Sequence, residues 1–136
     1  MSKKCALRST GIAALVAVGL LAIASRPANA DRAFREGFRA KYVKADSSDP
    51  KDVALREAFQ EAGCNVCHVG DERENRNAYG QALARFLKRA TDVKNKPKIQ
   101  EALEKVAAMK SKPDDPKAPT FGEIIGQGKL PAGITK

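Results

Sequence analysis

Residues 61–70 read EAGCNVCHVG, and this stretch contains Cys64, Cys67 and His68, the last being the one histidine of the 136-residue chain. Two cysteines separated by two residues and followed at once by histidine constrain the backbone strongly, because two thiols and an imidazole must emerge from little more than one turn. Such a cluster serves a disulfide, a redox dithiol, part of a zinc site or a covalent haem anchor. The rest of the chain discriminates among them.

Met1 to Ala30 has the pattern of an export signal. Lys3, Lys4 and Arg8 make a positive start, Gly11 to Ala24 are small or apolar, and Ala28-Asn29-Ala30 is a small-x-small cleavage site. The apolar run is short of the roughly 20 residues that a permanent membrane helix needs. Cleavage after Ala30 is therefore expected, with residues 31–136 as one domain exported to a bacterial periplasm and no permanent membrane span. Cys5 precedes the apolar run and leaves with the leader.

What remains is 136 minus 30, or 106 residues, with no tryptophan. A chain of this size buries a limited fraction of its surface, so a large buried cofactor would supply much of its core. Removing Lys3, Lys4, Arg8 and Arg26 from 25 basic residues leaves 21 against 16 acids, a formal charge of +5. This suits docking onto an acidic redox partner, with a plain solvated basic surface as the equal alternative. An exported chain without a concentrated basic stripe is a poor candidate for nucleic acid.

The apolar spacing is helical almost throughout, and the expected fold is all-α, with about four to five helices around one covalent haem. In DRAFREGFRAKYVK, residues 31–44, Phe34, Phe38 and Tyr42 recur every four positions along one side of a first helix. Asp49 and Pro50 read as a cap and first position of a second helix that runs to about Ala62 and delivers the chain into the cysteine motif. Gly70 to Asn75 reads as a charged loop. NRNAYGQALARFLKRA predicts a third helix with Tyr79, Leu83, Phe86 and Leu87 at helical spacing. A fourth from about Pro97 to Lys110 carries Ile99, Leu103 and Val106, with Met109 near the same face. The three prolines of residues 112–119 end it, and a short helical turn is expected around Phe121 to Ile125.

A disulfide between Cys64 and Cys67 would close a tiny loop, stabilise little and leave the histidine without a role. A thioredoxin-type dithiol belongs after a strand in an α/β pattern that is missing here. Structural zinc takes four ligands, and the mature chain has neither a third cysteine nor a second histidine. Covalent haem uses all three groups. Cys64 and Cys67 each form a thioether with one haem vinyl group, and His68 presents its imidazole to the iron as proximal ligand. Attachment of this kind takes place outside the cytoplasm, in agreement with the leader.

The helix LREAFQEAGCNVCH resembles the N-terminal helix and haem-binding turn of small single-haem cytochromes c. The longer run CNVCHVGDERENRNAYGQALARFLKR, with ALEKV and FGEII…GKLP after it, is similar to small exported cytochromes c of planctomycete bacteria related to the haem subunits of anammox heterodimeric cytochromes. The likeness spans roughly residues 34–131. It implies a mostly helical cytochrome c fold with haem c on Cys64, Cys67 and His68. In the anammox relatives it also implies a distal cysteine, which this chain, with no cysteine to spare, does not carry over.

The distal side decides between electron transfer and ligand binding. No second histidine exists, and Met109 is the only methionine of the mature chain. It is a candidate distal ligand, although a methionine on an apolar helix face is more often packing. The polar cluster Arg73, Asn75, Arg76, Asn77 and Tyr79 follows the motif closely enough to reach a haem edge. Arg73, Arg76 and Tyr79 are candidate propionate contacts on that ground, with a solvated loop and helix cap as the plain alternative. No acid/base pair or nucleophile is offered for independent catalysis. The expected function is periplasmic electron transfer between redox protein partners. The alternatives are a haem protein binding NO or CO, and a haem subunit of a larger redox complex, as a homo- or heterodimer.

Overall fold

A computed structural model describes residues 29–133; of the expected leader, residues 1–30, all but Asn29 and Ala30 lie outside the described residues. Among them are six helices: α1 (Asn29–Tyr42), α2 (Pro50–Ala62), α3 (Ala78–Ala84), α4 (Arg89–Asp92), α5 (Lys96–Ala107) and α6 (Phe121–Gly126). A two-stranded antiparallel hairpin, β1 (His68–Val69) and β2 (Glu72–Arg76), lies between α2 and α3. The chain is mostly helical, as expected, and no described helix is long and apolar enough to cross a membrane.

The helix starts are chemically specified. The Asp49 side chain accepts from the Lys51 N–H at 2.8 Å and Pro50 opens α2. The Asn95 side chain accepts from the Lys98 N–H at 3.0 Å and caps α5. Thr120 and Glu123 close a reciprocal capping box on α6. Each cap satisfies backbone donors that the first helical turn leaves without intrahelical partners.

α5 is the central helix and packs against α1, α3, α4 and α6. Ile99, Ala102, Leu103 and Val106 are buried along it. Phe38 of α1 stacks on Phe59 of α2 at 5.7 Å between ring centroids and meets Tyr79 of α3 edge-on at 5.8 Å. Tyr79 in turn meets Phe121 at 5.2 Å. Such pairs add about 0.5–1.5 kcal/mol each beyond area burial. They join four helices into one core, and the Phe34, Phe38, Tyr42 stripe lies against that core as its spacing requires. The Tyr42 hydroxyl donates to the Leu103 carbonyl at 3.1 Å, and burial, with Glu104 second, pushes its pKa up to about 12.

Two elements differ from the sequence expectation. The third helix is interrupted: Lys88 is extended, and α4 restarts after it. Asp92 provides the reason, because its buried carboxylate accepts from the Lys88 N–H at 2.7 Å and from the Lys98 ammonium at 2.8 Å. The charged loop after the motif is the second difference, since it folds as the hairpin β1–β2. Gly70, at φ 67°, stands at the tight turn between Val69 and its partner Glu72.

Lys98 first, and the Lys88 N–H second, hold the Asp92 carboxyl at about 2, below the ordinary 3.8. A depressed folded-state pKa contributes stability that is full above the unfolded value and disappears as pH falls through the folded one. Asp92→Asn is therefore expected to melt below wild type at pH 7. The gap should close as pH falls from about 4 to about 2, the window between the two pKa values, and melting curves across that range check it. A gap that stays constant would show that Asp92 ionisation carries none of the effect.

Candidate functional site

The end of α2 sets the geometry of the cysteine motif. Gly63 caps the helix at φ 55°, a conformation that L side chains rarely adopt, and the chain turns at once into a short 3-10 segment, Gly63–Val66. The Cys67 N–H donates to the Cys64 carbonyl at 3.2 Å. Both thiols thus emerge from one tight turn, not joined in a disulfide, with Cys64 exposed and Cys67 half-buried. His68 follows as the first residue of β1.

Two residues clamp this turn from outside. Asn77 is buried, and its side-chain amide donates to the Asn65 and Val66 carbonyls at 3.1 Å and to the His68 carbonyl at 3.4 Å. Its side-chain oxygen accepts from the Gly80 N–H at 2.9 Å, so the clamp is also the cap of α3. α3 approaches so closely that a Cβ at Gly80 would run into the Cys67 carbonyl. On the other side, Arg35 of α1 donates from Nε to the Gly63 carbonyl at 2.9 Å and lies over the Phe59 ring at 4.2 Å.

A cavity of about 500 Å³ opens beside the turn, with Cys64, Cys67 and His68 in its wall. That volume lies within the roughly 300–1,000 Å³ of small-molecule and cofactor sites. Phe34, Val66, Leu83 and Leu87 supply apolar walls, while Arg32, Arg35, Arg76 and Arg89 bring four guanidiniums against one carboxylate, Glu74. Cys64, Cys67, His68 and Arg76 thus line the same cavity.

Met109 and Tyr79 are not among the residues of that wall. α5 ends at Ala107, and Met109 packs half-buried against the core while its carbonyl accepts from the Phe121 N–H at 3.0 Å. This backbone bond fastens Met109 to the start of α6. Tyr79 points into the aromatic core at 0 % exposure, with its hydroxyl lacking a hydrogen-bond partner among the described residues. Burial first, then Tyr42 and Cys67, raises its pKa well above 10. The side chain of Arg73 lies outside the described residues.

Arg32, Arg35 and Arg89 are the cavity residues that sequence reasoning missed. Arg32 and Arg35 lie on the first helix, where apolar spacing directs attention to Phe34 and Phe38. Arg89 lies beyond the unforeseen break before α4.

The donor set fits a covalent haem: two thiols on one turn, an adjacent imidazole, apolar walls and guanidiniums for carboxylates. Among the described residues, no three His, Cys, Asp or Glu side chains gather as a group that could hold a bare metal ion. Comparison with protein-family models, curated proteins and solved structures finds no match for this chain.

Proposed function

We propose that this protein is an exported, single-haem c-type cytochrome that transfers electrons between redox partners. The observation that carries the proposal is the cavity itself, with both thiols and the sole imidazole of the chain in one wall and apolar and cationic side chains around the rest. Each thiol would add across one vinyl group, sulfur bonding to one carbon and the thiol hydrogen passing to its neighbour, with no other reactant. His68 would ligate the iron, Asn77 and Arg35 would hold the attachment turn rigid, and Phe34, Leu83 and Leu87 would exclude water. A bound haem supplies a one-electron couple between Fe(II) and Fe(III), whose potential the protein tunes by ligand, burial and nearby charge.

One observation favours a second reading. With Met109 not among the residues of the cavity wall and no second histidine in the chain, no sulfur or imidazole beyond the attachment motif lines this cavity among the described residues, and a haem held there by His68 would find neither as a further ligand. An open position there would bind CO or NO. Protein matured with haem-attachment machinery is expected to give a c-type pyridine haemochrome spectrum, and its absence would refute both readings. Met109→Ala should leave the ferric and ferrous spectra unchanged. Addition of CO to the reduced protein then separates the two: an unchanged spectrum supports a closed electron carrier, a shifted one the gas-binding protein.

A further inference from the structure

The four guanidiniums at the cavity are not equivalent. Arg35 is committed to the Gly63 and Phe59 carbonyls and to the Phe59 ring, and Arg89 has an interaction of its own. Arg32 and Arg76 differ from both. Among the described residues neither guanidinium has a hydrogen bond or ion pair, although both line the cavity. Even Glu74, two residues from Arg76 and in the same cavity wall, makes no ion pair with it.

Their positions are complementary. Arg76 is the cross-strand partner of His68 in the hairpin, and paired residues on antiparallel strands present their side chains on the same face. Arg32 comes from the first turn of α1, a helix that Arg35 fastens to the attachment turn. An apolar cavity with two uncommitted guanidiniums on separate elements suits a ligand with an apolar body and two carboxylates, because a guanidinium forks its donors onto a carboxylate bidentately.

We propose that Arg32 and Arg76 form a two-sided carboxylate clamp, each taking one haem propionate, so that Arg32 fastens α1 over the cofactor as a clasp. The proposal rests on the haem reading above, and it assigns α1 a part in holding the cofactor beyond its part in the core.

The test uses the haem-loaded protein with Arg32→Gln, Arg76→Gln, Arg32→Lys and Arg76→Lys, each first checked for full covalent haem by its pyridine haemochrome spectrum. A positive charge beside the haem favours the ferrous state, so each glutamine variant is expected to have a lower reduction potential. The expected size is about tenfold in the equilibrium with a fixed mediator, or about 59 mV for one electron. The lysine variants, which keep the charge, should recover most of that shift. Arg32→Gln should also speed proteolytic cleavage within α1, whereas Arg76→Gln should not. Glutamine variants with full haem and wild-type potentials would overturn the clamp, as would lysine variants shifted as far as the glutamine ones. A wild type without covalent haem would overturn the haem reading and the clamp together.

Discussion

Replacing Cys64 and Cys67 together by alanine is expected to abolish covalent haem, leaving a chain that shows no haem stain after denaturing electrophoresis. The thioethers alone would survive denaturation, so the assay reads the two sulfurs and nothing else. Either single replacement should leave one thioether and a haemochrome band displaced from the two-thioether position. His68→Ala should keep the attachment and lose the ligand, with normal staining but an altered ferrous spectrum. The double variant should also be much less stable than the loaded protein. The apolar walls of Phe34, Val66, Leu83 and Leu87 would lose the contacts that a bound haem makes with them, and a loss of about 3 kcal/mol, within the range of large-to-small core changes, would lower Tm by roughly 12–24 °C for a domain of this size. A double variant that still stains, or that melts with the wild type, would remove haem from the account of this fold.

The parts of the fold legible in the sequence were those encoded within a few residues. Asp49-Pro50 announces α2 because a cap and a ring-fixed first residue act locally. The Cys-x-x-Cys-His motif brings its three side chains to one turn because they are adjacent in sequence, and all three line the cavity. The hairpin β1–β2 was hidden because hydrophobic alternation cannot reveal a strand reading ERENR. Gly70-Asp71, a pair suited to a two-residue hairpin turn, was the one available signal. The break before α4 depends on Asp92 meeting both Lys88 and Lys98, with no proline or glycine to mark it. Met109 was placed near the apolar face of α5 by spacing, yet the helix ends before it and Phe121 fixes its backbone. The arginines of the cavity were invisible for a related reason: a surface arginine and a cavity arginine look alike until tertiary packing brings α1 to the attachment turn.

Asn77→Asp tests how the attachment turn is held, and its effect is expected to be large despite near-identical shape. The amide donates to three carbonyls of residues 65–68 while its oxygen caps α3. Aspartate can keep the cap, because a carboxylate accepts from the Gly80 N–H as well as an amide does. It cannot donate, so an ionised oxygen would face three carbonyl oxygens at a buried position. Breaking buried polar contacts costs about 1–3 kcal/mol for each group left unsatisfied, and more for charged groups, which places the variant about 3–5 kcal/mol below wild type. Asn77→Ser retains an oxygen for the cap and introduces no charge. Its loss should be about 2 kcal/mol, close to two ordinary hydrogen bonds. Denaturant unfolding of the loaded proteins measures both, and haem incorporation should follow the same order, since the clamp holds the turn that carries the two thiols. If aspartate proves no worse than serine, the amide donors do not hold the turn. The rigidity would then rest on Gly80 and the close approach of α3, for which Gly80→Ala, whose methyl group meets the Cys67 carbonyl, is the corresponding variant.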